Sequence, residues 1–99
     1  MIAFNRSATI APGKLASTLA FAREVAAHIT TTTGTEVSVA VPVGGNPSRI
    51  SWSTRHESLA DFDAVMMALM ADAAYAALMA KNADNFIPGS VHDDIWRVI

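Results

Sequence analysis

The sequence predicts an α+β domain in which helices cover one face of a four-stranded antiparallel sheet. Three observations carry this reading. Four segments alternate apolar and polar residues with the period of a strand. Two others place apolar residues at helical spacing, and the order of the six is β-α-β-β-α-β. The longest, Ser58 to Lys81 (SLADFDAVMMALMADAAYAALMAK), holds no Gly and no Pro, as a helix requires.

Ile2 to Ile10 opens the chain as a strand, with Ile2, Phe4, Ala8 and Ile10 on one face. Ala3, Asn5, Ser7 and Thr9 fall on the other. Arg6 interrupts the apolar face, which requires snorkelling near an edge or a bulge. Pro12 suits the first turn of a helix, where its missing N–H is harmless. Leu15, Leu19, Ala22, Val25, Ala26 and Ile29 then form an amphipathic stripe. The β-branched run Thr30 to Thr33 weakens that helix, and Gly34 is its natural stop.

Thr35 to Val43 reads as the clearest strand, with Val37, Val39, Val41 and Val43 on one face. Gly44 to Ser48 is turn chemistry that joins it, as a hairpin, to Arg49–His56. In that second strand Ile50, Trp52, Thr54 and His56 alternate with Arg49, Ser51, Ser53 and Arg55.

The long helical segment follows, with Leu59, Phe62, Met66, Leu69, Ala73 and Ala76 in helical register. Ser58, with Asp61 three residues on, reads as an N-cap. Asp61 and Asp63 put negative charge where the helix dipole favours it. One straight helix here would be about 36 Å long at roughly 1.5 Å per residue. A domain of this size has a radius of gyration of only about 13 Å. The length therefore predicts a break between Ala68 and Ala74, with Asp72 capping a second helix. Phe86–Ile87 anchors the exit, Pro88–Gly89 turns the chain, and Val91 to Ile99 supplies the last strand. This is the ferredoxin-like arrangement. Its helices would cover the valine face, leaving a polar face of small residues with Asn5, Ser7, Ser38, Ser51, Ser53 and Arg55.

Ninety-nine residues make one domain, 1–99, near the commonest domain size. The 51 hydrophobic residues include 19 alanines, so 32 larger apolar side chains must build one modest core. A net charge of −2 gives no electrostatic case for nucleic acid or an anionic membrane. Without Cys there are no disulfides and no thiolate metal sites. No apolar run approaches the roughly 20 residues that span a bilayer. Met1 to Ile10 does not resemble a signal peptide, so a cytoplasmic location is expected.

Several of these stretches resemble the dimeric α/β-barrel superfamily. They are Pro12-Gly13-Lys14 opening the first helix, Ser58-Leu59-Ala60-Asp61-Phe62 after a Trp-bearing strand, and Phe86-Ile87-Pro88-Gly89-Ser90 before the last strand. That superfamily includes cofactor-free monooxygenases of antibiotic biosynthesis, stress-responsive barrel proteins and NIPSNAP-type proteins. The resemblance covers nearly the whole chain, and its motifs are structural. It implies a homodimer whose two sheets pack face to face, and a small-molecule cleft between sheet and helices in each subunit. Monooxygenases of this kind oxidise polycyclic aromatic molecules using Asn, Trp, Arg, Tyr or His. Asn5, Trp52, Arg55, Tyr75 and His92 are residues of those types. Haem-degrading relatives use a helical axial His; here the one clearly helical His, His28, lies off its apolar stripe.

Each candidate also has a structural role. Trp52 sits on the apolar face, which favours a core position over stacking on a ligand, although its indole N–H needs an acceptor. His28 suits the negative end of a helix dipole. His56 and His92 lie where strand meets loop, positions that carry function disproportionately. No pair of histidines has metal-ligand spacing, so neither a metal nor another cofactor is expected. Gly44-Gly45-Asn46 precedes no helix and is a turn, not a phosphate cradle. Ser51 and Ser53 lack a nucleophile elbow.

The segment after Leu69 is rich in Ala, with Tyr75 its one large ring. It predicts a partly apolar cleft near Trp52 and Tyr75, of roughly 300 Å³ or more if it takes a small ligand. His56, His92, Asn5 and Arg55 are further candidates to line it. Two functions follow from different classes. One is a small-molecule-binding protein, as a cofactor-independent oxygenase of a hydrophobic or aromatic metabolite. The other is a non-enzymatic homodimeric interaction or stress-response module.

Overall fold

β1 (Ile2–Thr9) lies in the interior of a four-stranded sheet of order β2-β3-β1-β4. The computed structural model describes all residues, Met1–Ile99. β1 pairs antiparallel with β3 (Arg49–His56) from Ile2↔His56 to Thr9↔Arg49, and with β4 (His92–Arg97) from Ile2↔Arg97 to Ser7↔His92. β2 (Ser38–Ala40) adds an antiparallel edge to β3. Three helices complete the fold: α1 (Leu15–Thr33), α2 (Leu59–Met70) and α3 (Ala73–Lys81). A single 3-10 turn, Ala83–Asn85, leads into the exit segment. The ferredoxin-like order is thus present, with its second helix divided in two.

The division falls where the length of Ser58–Lys81 demands it. Ser58 Oγ accepts from Asp61 N at 3.1 Å and starts α2. Asp72, in extended conformation, accepts from Ala74 N at 2.9 Å and starts α3. The two helices meet at 73°. The radius of gyration is 13.5 Å, close to the value expected for a domain of this size. No single helix is long and apolar enough to cross a membrane.

Four local expectations are corrected. Pro12 and Gly13 form a turn before α1 rather than its first turn: Gly13 takes φ 76°, and Lys14 N bonds back to Ala11 O. This entry leaves Leu15 exposed, and the buried stripe is Thr18, Phe21, Ala22 and Val25. Phe21 lies outside the expected stripe and takes the inner position because a ring buries more apolar area than an aliphatic chain. The second strand is far shorter than Thr35–Val43. Pro42 has no N–H to donate at a sheet edge, and Val41 and Val43 stand exposed. In the second helical segment Leu59, Ala73 and Ala76 are exposed, and Leu69 is the only fully buried member of α2. Gly34, by contrast, ends α1 as expected, with φ 75° and its N–H on Thr30 O.

Ile10, Ala22 and Ile50 form the tightest part of the core, with Leu19, Val39, Trp52 and Phe86 packed against it. Ile10 bridges to Phe86, and Ile87 N donates to Thr9 O, so the exit segment is pinned to the end of β1.

Asp72 uses both carboxylate oxygens: Oδ1 caps α3, and Oδ2 lies 2.6 Å from His28 Nε2 of α1. Ser58 supports one helix end only. Ser58→Ala should cost about 1 kcal/mol, the usual value for a lost cap. Asp72→Ala should lower the urea midpoint further, because it also frees His28. An equal or smaller loss would show that the α1–α3 tie contributes nothing.

Candidate functional site

Between sheet and helices lies an apolar cleft of about 120 Å³. Its floor is the helix-facing side of β1 and β3: Phe4, Arg6 and Ala8 beside Trp52, Thr54 and His56. α1 contributes Phe21, Val25 and Ile29, and α2 contributes Phe62, Val65, Met66 and Leu69. Tyr75 and Met79 of α3 close one side, with Phe86 and Val91 from the exit segment. Met79 and Val91 are exposed on its rim.

Aromatic contacts give the cleft rigid walls. Phe21, Trp52 and Phe86 form a triangle of edge-to-face pairs with centroids 5.8–6.3 Å apart. Phe62 lies 5.0 Å from Phe4 and meets His56 edge-on at 5.3 Å. The Trp52 indole N–H is buried and has no hydrogen-bond partner. An unpaired buried donor carries a desolvation cost.

Arg6 and Trp52 are cross-strand neighbours, and Arg6 and Asp93 are neighbours on the other side. Arg6 donates from Nε at 2.7 Å and from Nη2 at 2.8 Å to the two Asp93 oxygens. The pair raises the Arg6 pKa and holds the Asp93 carboxyl below its ordinary range. The guanidinium also lies 5.6 Å from the Phe4 ring centroid. This is how an arginine is accommodated on the apolar face of an interior strand. β1 has neither the edge position nor the bulge expected for Arg6, and the unbroken register from Ile2 to Thr9 leaves β4 to supply the counter-charge.

His56 is buried, and its Nε2 lies 2.8 Å from Thr54 Oγ1. Burial pushes its pKa below 6.5, partly opposed by Asp61. On the roof, Tyr75 stacks on His28 at 6.5 Å, and His28 is held by Asp72. The tie at the α2–α3 bend therefore also sets the position of Tyr75.

Trp52, Tyr75 and His56 are thus brought together in one cleft. Asn5, Arg55 and His92 are not, because strand alternation sends them to the opposite face. Asn5 and Arg55 border a polar groove there with Ser38, Ser53 and Trp96. His92 is exposed, with Nε2 3.3 Å from Asp94. The cleft is also smaller than the expected 300 Å³, because Trp52 and the phenylalanines fill space that the alanine-rich α3 leaves open. Sequence reasoning missed Asp93 as the partner of Arg6. Its signal was present: an arginine on an apolar face needs a carboxylate, and alternation turns one acid of Asp93–Asp94 inward.

His56 gives a pH dependence with a definite sign. Its folded pKa lies below 6.5, so the unfolded chain binds the proton first as pH falls. Its stability contribution is complete above pH 6.5 and is lost as pH falls through the folded pKa. Urea denaturation across this window should show the decline, and His56→Gln should flatten it. Parallel curves for the two proteins would assign the decline to other groups.

No family sequence model matches the chain, and no curated protein matches it. Solved structures do. An uncharacterised NIPSNAP domain protein from Burkholderia xenovorans superposes with TM-score 0.85 at 14% identity, covering 100% of this chain and 95% of its own. A NIPSNAP family protein from Agrobacterium tumefaciens gives 0.83 at 21% identity, covering 99% and 85%. A proposed antibiotic biosynthesis monooxygenase from Nitrosomonas europaea gives 0.76 at 14% identity, covering 100% and 99%. At these identities the likeness establishes fold. The chain has the ferredoxin-like fold of these structures.

Proposed function

We propose that this protein binds a small hydrophobic or aromatic molecule in the cleft between sheet and helices. The observation that carries the reading is a gap of about 120 Å³ in an otherwise apolar wall bounded by Trp52, Tyr75 and Met79. A filled core would have left no such gap. Oxidation of the bound molecule is the reaction suggested by likeness to the proposed monooxygenase of Nitrosomonas europaea. The modest volume of the cleft favours a second reading, a non-enzymatic interaction or stress-response module.

The same reading includes a homodimer formed through the polar sheet face. Only 13 of 99 residues are fully buried in the single chain, and Trp96 on that face is 64% exposed. A stable pair should bury more than about 1,000 Å² in total.

A thermal-shift screen of small ring compounds tests the binding. A ligand should raise the midpoint, and Tyr75→Phe and Trp52→Phe, still folded, should weaken it. Unchanged affinity in both variants would place the site elsewhere, and no hit at all would favour the module. Sedimentation should give a dimer at micromolar concentration, and a monomer there would remove the sheet-face pairing.

A further inference from the structure

The charge on the cleft wall has one sign. No Asp or Glu lines the cleft, and Arg6 is its only lining residue charged regardless of pH. Asp93, which does not line it, takes the Arg6 donor on Nε at 2.7 Å and one on Nη2 at 2.8 Å. Arginine carries five N–H donors, so both on Nη1 and the second on Nη2 have no partner in the chain. These two nitrogens form the end of the guanidinium fork, a second edge that matches a carboxylate.

Tyr75, near the start of α3, lines the same cleft, and its hydroxyl also has no partner in the chain. The Arg6 pKa is raised chiefly by Asp93, and Tyr75 adds to it, so the phenol lies within electrostatic range of the guanidinium. Neither group is sealed. The enclosed polar atoms without partners are Thr18 Oγ1 and Trp52 Nε1, so the free donors of Arg6 and Tyr75 keep accessible surface. With the Arg6 side chain 30% exposed, a polar head bound there stays partly hydrated, which limits its desolvation cost. The apolar remainder has room for one ring. Its free space is about 120 Å³, near the roughly 150 Å³ that admits benzene, and Met66 and Met79 are pliable.

We propose that Arg6 and Tyr75 form the polar end of the cleft, and that it takes a single-ring carboxylate whose oxygens bond the Arg6 Nη1–Nη2 edge and the Tyr75 hydroxyl. The inference rests on the cleft being a ligand site. Asp93 holds the guanidinium by its other edge, so the open fork is oriented before a ligand arrives. A neutral amide offers an acceptor without the charge, and a cationic head meets only donors and like charge.

Calorimetric titration with four probes that share one ring tests this: benzoate, benzamide, benzylammonium and toluene. The unaltered protein should bind toluene, bind benzoate more tightly than toluene and reject benzylammonium. Benzoate should exceed benzamide by at least about tenfold. Tyr75→Phe should weaken benzoate by about three- to tenfold, the range of one hydrogen bond, and change toluene much less. Arg6→Met combined with Asp93→Asn removes the fork without stranding a charge. That double variant should bind benzoate no more tightly than toluene.

Toluene bound more tightly than benzoate by the unaltered protein would overturn the polar end while leaving the cleft as a ligand site, and this needs no variant to fold. Benzamide bound as tightly as benzoate would overturn the choice of a carboxylate. Equal losses of benzoate and toluene in Tyr75→Phe would overturn the hydroxyl contact. Undiminished benzoate binding in the double variant would overturn the placement at Arg6. Binding of none of the probes would remove the cleft reading itself, and this inference with it.

Discussion

The carboxylate of Asp72 is the interaction on which the upper layer of the molecule depends. The stretch Ser58–Lys81 has the composition of one helix and more length than the sheet beneath it can use. Asp72 resolves the conflict by leaving the helix in extended conformation and capping the next one through Ala74 N. Its second oxygen reaches His28 on α1, so the bend is anchored to a neighbouring helix. The His28 bond, followed by the caps, holds the Asp72 carboxyl below its ordinary range. Because His28 also stacks on Tyr75, one carboxylate sets the 73° bend and the placement of the ring at the side of the cleft.

The lower layer depends on a different conflict. β1 pairs along both edges, so each of its helix-facing side chains lies under the roof. An arginine there would normally be a defect. Asp93 removes the cost by matching the guanidinium with two hydrogen bonds, a geometry that lysine could not reproduce. The pair is neither fully buried nor free in water, with side chains 30% and 38% exposed. It therefore neutralises charge at the side of the cleft without the full desolvation penalty of a core ion pair.

What could be read from the sequence follows from the range of the forces involved. The strand alternation of β1 and β3, the Ser58 and Asp72 caps and the Gly34 stop all depend on residues within a few positions of each other, and they were legible. The ferredoxin-like order followed from them. The extent of β2 was not, because four alternating valines cannot reveal that Pro42 lies where the edge must end. The inner stripe of α1 was misjudged because tertiary packing prefers Phe21 to Leu15. Of the candidate residues, Trp52, Tyr75 and His56 share one cleft, as their face and position implied. Asn5, Arg55 and His92 were grouped with them by residue type, and strand parity separates them. Asp93 is 87 residues from Arg6, and only the pairing of β4 with β1 brings them together.

The free space has a physical origin in the contrast between the two layers. The sheet offers large, rigid groups: the triangle of Phe21, Trp52 and Phe86 fixes its own geometry through edge-to-face contacts. The roof offers small or pliable ones, alanines on α3 and methionines at positions 66 and 79. Rigid walls cannot collapse inward, and small roof residues cannot reach down, so a gap persists where dispersion contacts are forgone. A protein selected for stability alone would close such a gap with one larger residue on α3, and would give the Trp52 N–H an acceptor. Leaving both unmet within one layer of the core is a local departure from good packing.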